Sequence, residues 1–202
     1  NNETEDYTTI GISGTYVCWQ GENKDVYVNT GVDGTVEIPT PSGGVFNRAF
    51  DTTISGDYVA FRARETSSSS YCTYLYNITS GVTTNLSGTS ANYPVISEDN
   101  VYWVGWDGSK YQIYRYNILS DATTQISILG SDHYIVNLDV SGDSAAWMES
   151  DSSTSEYDLC MFDGLTTHTV TNLKFISNIS VHDDQVVFMG EKIYDGAIPS
   201  LI

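Results

Sequence analysis

The fold of this chain is decided by an eight-residue stretch, ISGDYVAF at residues 54–61, which recurs along the sequence. Four other segments match it: ISGTYVCW at 12–19, ISEDNVYW at 96–103, VSGDSAAW at 140–147 and VHDDQVVF at 181–188. Their terminal aromatic residues lie 42, 42, 44 and 41 positions apart. A fixed period of about 40 residues is typical of a protein built from repeated supersecondary units.

Three further short segments accompany each signature. In the second repeat, FDTTI at 50–54 overlaps the start of the signature, and TYLYN at 73–77 and TTNLS at 83–87 follow it. These segments are rich in β-branched and aromatic residues and are bounded by Gly, Asn, Asp and Ser, which is typical of strands joined by tight turns. Each repeat therefore predicts four antiparallel strands.

A unit of about 40 residues with four antiparallel strands is characteristic of a β-propeller blade. Five such units account for residues 1–202, so we predict an all-β protein, a five-bladed β-propeller in one domain. The signature strands carry apolar residues on both faces, as a sheet covered on both sides requires. We expect the five terminal aromatics to pack between blades: Trp19, Phe61, Trp103, Trp147 and Phe188. The predicted blades are approximately 5–42, 47–88, 91–128, 133–172 and 174–202.

Composition excludes several classes of partner. The chain has 8 Lys and Arg against 26 Asp and Glu, a formal net charge of −18. Nucleic acid is not expected as a partner, because phosphate contacts need clustered basic residues. No apolar run is long enough to form a membrane-spanning helix, so membrane insertion is not expected either.

No cofactor or metal is expected from the motifs. The glycine-rich sequences that cradle phosphates are absent. The three cysteines, Cys18, Cys72 and Cys160, lie in apolar runs without a Cys-x-x-Cys pair, so we predict buried thiols. The chain begins at Asn1 rather than Met, which favours a processed form or part of a larger protein.

The repeat also resembles a known family. ISGDYVAF, with IYRYN at 113–117 and TTQIS at 123–127 in the next repeat, resembles the TolB-like (WD-repeat-like) β-propeller repeat. The versions in surface proteins of methanogenic archaea are especially similar. Repeat four departs from the pattern with Cys160 in a tyrosine column, and repeat five with His182 in place of Ser. The resemblance implies a propeller fold and an extracellular, cell-surface location, and it says little about activity.

The segments that enter each first strand would line the centre of a propeller, where ligands commonly bind. We predict ligand contacts from Arg48, Asn92, Tyr93 and Asn137. The leading functional prediction is a non-catalytic extracellular scaffold or binding module. It would present the rim of the propeller to a protein or glycan partner, as part of a larger surface protein or assembly.

Two alternatives stay open. Some glycoside hydrolases are five-bladed propellers, and Asp51 and Asp139, with Asp6 as a third candidate, could supply their acid and base. A lectin with one pocket per blade would need equivalent polar residues in every repeat. The repeats match in apolar rather than polar columns, which gives the lectin little support.

Three N-x-[ST] sequons, at Asn77, Asn85 and Asn178, are candidate glycosylation sites in an extracellular protein, and Asn2 begins a fourth. Because Asn, Ser and Thr are abundant in the turns of this chain, chance matches are the alternative interpretation.

Overall fold

The computed structural model describes residues 9–21, 25–44, 46–130, 133–182 and 185–192, and every regular element in these ranges is a β-strand. Sheet one contains β1 (Ile10–Ser13), β2 (Tyr16–Gln20), β3 (Val26–Asn29) and β4 (Thr35–Glu37). Sheet two contains β5 (Phe46–Ser55), β6 (Tyr58–Glu65), β7 (Cys72–Asn77) and β8 (Val82–Asn85).

Sheet three contains β9 (Ala91–Ser97), β10 (Asn100–Trp106), β11 (Tyr111–Asn117) and β12 (Ala122–Gln125). Sheet four contains β13 (His133–Ser141), β14 (Ser144–Asp151), β15 (Tyr157–Phe162), β16 (Thr167–His182) and β17 (Gln185–Lys192). In every sheet the strands follow chain order and neighbours are antiparallel. The chain divides into two compact units, Asn1–Gln125 with the first three sheets and Ile126–Ile202 with the fourth.

The predicted all-β class and four-strand repeat are confirmed. Sheet four has a fifth strand because β16 serves two repeats. Its first part pairs with β15 as far as Leu173, and its second part pairs with β17 from Leu173 to His182. The last two strands predicted for repeat five, at 192–196 and 198–202, lie outside the described residues except for Lys192, which ends β17. The prediction of one domain with the blade limits given above stays a prediction.

The two faces of a signature strand are buried against different sheets. In β6, Val59, Phe61 and Ala63 belong to a core shared with Cys18 and other residues of sheet one. Ala60, between them, belongs to a second core that includes Trp103 of sheet three. Because successive side chains of a strand point to opposite faces, this pattern requires a neighbouring sheet on each side.

A stacked aromatic pair joins the second and third strands of each of the first three sheets. Register places the terminal aromatic of the signature directly opposite a tyrosine, a cross-strand arrangement that favours ring contact. The ring centroids lie 5.7–5.8 Å apart, with interplanar angles of 16–21°, in Trp19–Tyr27, Phe61–Tyr74 and Trp103–Tyr114.

Sheet four replaces this pair with a buried polar contact. Trp147 lies opposite Cys160, and the carboxylate of Glu149 accepts a hydrogen bond from the Trp147 indole N–H (2.8 Å). The Cys160 thiol donates to the same oxygen at 3.4 Å, and burial raises the pKa of that thiol to about 12. Repeat four thus has Cys160 where the other sheets have a tyrosine, and the Glu149 carboxylate provides the polar partner for Trp147 and Cys160. All three cysteines are free and buried, as predicted.

Burial of the signature aromatics follows the prediction except in repeat five. Phe61, Trp103 and Trp147 are at most 2% exposed and Trp19 is half-buried. The prediction was wrong for Phe188, which is 38% exposed. Its strand, β17, is the last described strand of sheet four, so no further described strand extends the sheet beyond it.

Hydrogen bonds between repeats recur at the period of the sequence. The backbone N–H of Ile96 donates to Thr53 Oγ1 (3.3 Å), and that of Val181 donates to Asp139 Oδ2 (2.7 Å). Thr53 and Asp139 both immediately precede a signature, and each acceptor binds the first signature residue of the next repeat. In the first unit, β5 lies against both β1 and β9, so the first strands of its sheets are neighbours.

Replacing Phe61 with Ala should destabilise the protein strongly. A fully buried ring shared by two sheets is lost, and large-to-small core changes of this kind cost about 3–5 kcal/mol. Phe188→Ala, at the equivalent but partly exposed position, should cost less than about half of that. Urea unfolding followed by tryptophan fluorescence measures both. Equal losses would contradict the burial difference.

Replacing Asp139 with Ala should also destabilise the protein, by about 1–3 kcal/mol. The backbone N–H of Val181, a buried residue, would lose its hydrogen-bond acceptor. Asp139→Asn keeps an amide oxygen in place and should retain most of the stability. Thr53→Val is the matched change in the second repeat. Thermal unfolding of the three variants is the measurement, and an Asn variant as unstable as the Ala variant would refute an acceptor role.

Candidate binding surface at the loop end of the sheets

Each sheet has two unlike ends. At one end the first strand begins, the second strand ends and the third begins, and this end is here called the loop end. The connections between the second and third strands lie there, at residues 66–71, 107–110 and 152–156. The opposite end carries the two-residue turns within the signatures, at 14–15, 56–57, 98–99 and 142–143. It also carries the connections between the third and fourth strands, at 30–34, 78–81, 118–121 and 163–166.

Three of the eight basic residues gather at the loop end of sheet two. Arg48 lies directly opposite Arg64, and Phe50 lies opposite Arg62, so all four side chains share one face of the β5–β6 pair. With Tyr71, which immediately precedes β7, these residues are here called the arginine cluster. The sheet thus concentrates positive charge in one place on a chain of net charge −18.

Aromatic rings hold the guanidinium groups of the cluster in place. The Cζ atoms of Arg48 and Arg62 lie 4.5 and 5.0 Å from the centroid of the Phe50 ring. Arg64 Cζ lies 5.2 Å from the centroid of Tyr71, and the two rings are themselves 5.6 Å apart. Cation–π contacts of this kind are stabilising and restrict the arginine side chains.

Arg62 connects sheet two to sheet three. Its Nη1 donates to Asn92 Oδ1 at 2.6 Å, and its Nε lies 3.0 Å from Asp51 Oδ2. The Nε–H does not point at the carboxylate, so the contact with Asp51 is an ion pair without hydrogen-bond alignment. Burial raises the pKa of Asp51, and the charge of Arg62 offsets part of that rise. The Arg62 and Asp51 side chains are 22% and 32% exposed, so the pair is partly shielded from water.

The first strands carry a backbone irregularity at the same position in three repeats. Asp51, Tyr93 and Asn178 each stand three residues before a signature and have φ angles of 51°, 52° and 49°. Strand pairing shifts register at all three places. A left-handed conformation in a residue other than glycine costs about 1–3 kcal/mol and clusters at functional sites. Bulges also redirect side chains out of the regular alternation.

An exposed aromatic pair lies at the loop end of sheet three. Trp106 and Tyr111 are 40% and 37% exposed, with ring centroids 5.2 Å apart in an edge-on arrangement. The backbone connects them to the cluster: Trp106 N–H donates to Ser90 O (3.0 Å), and the adjacent Ala91 N–H donates to Tyr71 O (2.9 Å). Both groups therefore lie at the loop end. Trp106 stands three residues after Trp103 in a regular strand, so its side chain lies on the opposite face from Trp103, which packs toward Ala60 of sheet two.

The structure brings together two of the four predicted ligand residues. Arg48 and Asn92 meet through Arg62, which stacks on the same ring as Arg48 and binds Asn92. Tyr93 follows Asn92 and is 57% exposed. Asn137 belongs to the other compact unit, where its Oδ1 accepts a hydrogen bond from Leu138 N (2.9 Å). Ligand binding by these residues stays a prediction.

Sequence reasoning missed Phe50, Arg62, Arg64 and Tyr71. The alternation of arginine in FRARE at 61–65 places Arg62 and Arg64 on one face of a strand, and Arg48 and Phe50 alternate in the same way. The alternation is visible in each strand separately. That the two sets of side chains lie together depends on how the two strands pair, which the alternation alone does not show.

The two carboxylates of the glycosidase alternative each have a local partner. Asp51 is paired with Arg62, and Asp139 accepts the backbone N–H of Val181. They belong to different compact units. Asp6 lies outside the described residues. An acid–base role for Asp51 and Asp139 stays a prediction.

Neither a metal-binding group nor a membrane-spanning helix is found within the described ranges. Within them, no group of three or more His, Cys, Asp or Glu side chains is arranged to hold a metal ion. Nor does that part of the chain contain a helix long and apolar enough to cross a membrane. Of the sequon residues, Asn85 and Asn178 are exposed and Asn77 is half-buried. Their glycosylation stays a prediction.

No protein-family model and no curated protein sequence matches the chain. Solved structures do resemble it. The β-propeller domain of the Trilobed protease from Pyrococcus furiosus aligns with a TM-score of 0.62 and 11% identity, over 95% of this chain and 67% of that one. TolB from Acinetobacter baumannii aligns with a TM-score of 0.57 and 13% identity, over 81% and 43%.

The acylaminoacyl peptidase of Pyrococcus horikoshii aligns with a TM-score of 0.58 and 14% identity, over 82% of this chain and 27% of that one. The chain thus spans less than half the length of the TolB and peptidase structures it resembles. At these identities the likeness concerns the fold alone. The antiparallel four-strand repeat and these resemblances together show that the chain has a TolB-like β-propeller fold.

Proposed function

We propose that the protein is a non-catalytic binding module that presents the rim of its propeller, at the loop end of the sheets, to a protein or glycan partner. The observation that carries this proposal is that the arginine cluster and the exposed Trp106–Tyr111 pair both lie at the loop end of their sheets. Arginine, tyrosine and tryptophan are the residues most enriched among those that dominate binding energy at interfaces.

Pre-ordered loops support this function. In the β10–β11 loop, Asp107 Oδ1 accepts hydrogen bonds from the backbone of Ser109 (2.7 Å) and Lys110 (2.9 Å). These bonds lower the pKa of Asp107 to about 2, so its carboxylate stays ionised at neutral pH. In the β14–β15 loop, Asp151 Oδ1 accepts from Ser153 N in the same way (2.7 Å). Loops that are ordered before binding lose less entropy when a partner binds.

The contacts of Asp51 and Asp139 favour a binding module over an enzyme that uses them as acid and base. Asp51 neutralises part of the charge of Arg62, and Asp139 fixes the start of the next repeat. Both carboxylates therefore position neighbouring groups of the structure.

We propose that the protein lies outside the cell, on a microbial, archaeal cell surface, as part of a larger protein or assembly. The resemblance of its repeats to those of methanogen surface proteins supports this location. The exposure of the Asn85 and Asn178 sequons supports it too, because glycan acceptors need solvent access. Mass spectrometry of the native protein would reveal glycans at these positions.

The binding function is tested on arrays of cell-envelope glycans and proteins, probed with the labelled chain. Trp106→Ser should weaken binding of an array ligand about tenfold or more, because exposed tryptophans at interfaces act as energetic hot spots. Leu119→Ser is the matched control. Leu119 is 79% exposed in the turn after β11, at the end opposite the loop end, and its loss should leave the affinity within about twofold, as for surface positions away from an interface.

Two results would overturn the proposal. The first is a wild-type chain that binds no member of the arrays. The second is an equal loss of binding in the Trp106 and Leu119 variants, which would locate recognition elsewhere. If a bound glycan were recovered shortened, the chain would be a hydrolase, and the Asp51→Asn and Asp139→Asn variants would show which carboxylate acts.

A further inference from the structure

We propose that the chain associates head to tail with a second copy of itself. The face of a sheet that carries the first signature residue and the terminal aromatic is here called its aromatic face. The aromatic face of sheet one, with Ile12 and Trp19, would pack on the face of β17 that carries Val187 and Met189 in the second copy. Neither surface includes the arginine cluster, so the proposal goes beyond the ligand-binding function and does not depend on it.

At the junctions between repeats, an aromatic face packs on the residue that precedes the terminal aromatic of the repeat before. Ile96 and Trp103, on the aromatic face of sheet three, belong to one core with Ala60 of sheet two. Val181, the first signature residue of repeat five, belongs to one core with Ala146 of sheet four. Ala60 and Ala146 each immediately precede a terminal aromatic. The same two columns of the repeat therefore meet at both junctions.

The first of these columns is exposed in sheet one. Ile12 is 71% exposed, whereas its counterparts Ile96 and Val181 are 6% and 7% exposed. Ile10 lies two residues earlier on the same face and is exposed as well, and the ring of Trp19 is half-buried. Sheet one therefore presents an apolar face that lacks the cover found in the later repeats.

The second column is exposed in repeat five. Val187, which precedes the terminal aromatic of that repeat, is 72% exposed. Its counterparts in the other four repeats are all 0% exposed: Cys18, Ala60, Tyr102 and Ala146. Met189 lies two residues further along the same face of β17 and is also exposed. Repeat five therefore offers the kind of surface on which an aromatic face packs at the earlier junctions.

Ile12 also leaves a backbone donor open. Ser13 and Tyr16 flank the two-residue turn as a hydrogen-bonded pair, so the N–H of Ile12 points away from β2. β1 is the edge strand of sheet one, and no described strand pairs with it on that side. The equivalent N–H groups of Ile96 and Val181 each donate to the side chain that precedes the signature of the repeat before. The N–H of Ile12 is therefore oriented to donate in the same way.

Ser180 is the corresponding acceptor of repeat five. It immediately precedes the signature of its repeat, as Thr53 and Asp139 precede theirs. Its side chain is exposed, and its hydroxyl has no hydrogen-bond partner among the described residues. It lies directly opposite Val187, just as Thr53 and Asp139 lie opposite the buried residues of the same column. A second copy that covers Val187 with Ile12 therefore also brings a backbone donor to the Ser180 hydroxyl.

The net charge of the chain opposes this association. Two copies of net charge −18 repel each other at low ionic strength. Salt screens that repulsion and leaves the apolar contact intact. We therefore expect the association to strengthen as salt is raised, whereas an association held by ion pairs would weaken.

Sedimentation equilibrium of the full chain, over a range of protein and salt concentrations, measures the association. The wild-type chain should form dimers and then larger species as its concentration rises, because a head-to-tail contact leaves one open face of each kind on every dimer. Ile12→Asp and Val187→Asp should each weaken the association about tenfold or more, since a charge would be buried against an apolar face. Both positions are exposed in the free chain, so both variants should fold, and circular dichroism checks this.

Val32→Asp is the matched control, because it adds the same charge to sheet one. Val32 lies in the turn between β3 and β4 and is exposed. Its replacement should leave the association constant within about twofold of the wild-type value, as for surface positions away from an interface.

Mixing the two interface variants tests the head-to-tail geometry. The Ile12→Asp chain keeps the β17 face, and the Val187→Asp chain keeps the aromatic face of sheet one. Each variant alone should stay monomeric. The mixture should form a dimer and no larger species, because one intact pair of faces remains between the two chains.

Three results would overturn the proposal. The first is a wild-type chain that stays monomeric at every protein and salt concentration, since its exposed faces would then be closed within one chain or covered by another protein. The second is an equal loss of association in the Val32→Asp control, which would reduce the effect to net charge. The third is a Val187→Asp chain that associates as the wild type does, which would show that the sheet-one face pairs with itself. The array experiment bears on the proposed binding function alone, so either proposal can fail without the other.

Discussion

The structure depends on one constraint, which is that each sheet is apolar on both faces. β6 shows this directly, because Val59 and Phe61 pack toward sheet one and the intervening Ala60 packs toward sheet three. Such a sheet is unstable alone, since either face would expose apolar surface to water. Repetition of the unit solves the problem, because sheet two is covered by sheet one on one face and by sheet three on the other. The 41–44-residue period and the hydrogen bonds between successive first strands follow from this stacking.

Most of the fold could be predicted from the sequence for the same reason. Stacking demands the same apolar residues at the same places in every repeat, so the aromatic columns are visible without structural knowledge. Trp103 and Tyr114, for example, stand in columns that the alignment of repeats already identifies. Phe188 shares the column and not the burial, since it is 38% exposed. The column of a residue in the repeat predicts its strand position better than its burial.

The candidate site was less predictable, because it arises where the repeats differ. Arg48, Arg62 and Arg64 have no counterparts in the other repeats, and their proximity depends on strand register. The left-handed backbone at Asp51 and Tyr93 leaves no signature in residue type, since neither position is a glycine. The same holds for Glu149, whose contact with Trp147 becomes understandable only once Cys160 is seen to stand where the other sheets have a tyrosine ring. Function in a repeat protein is carried by such departures.

The long strand β16 sets repeats four and five apart from the others. Between the first three sheets, loops separate the last strand of one repeat from the first strand of the next, as at residues 86–90. Between repeats four and five the chain continues as one strand that pairs with β15 on one side and β17 on the other. Separating these repeats would break backbone hydrogen bonds on a shared strand instead of bending a loop. We therefore expect repeats four and five to unfold together, because they share a strand, whereas the earlier repeats are joined by loops.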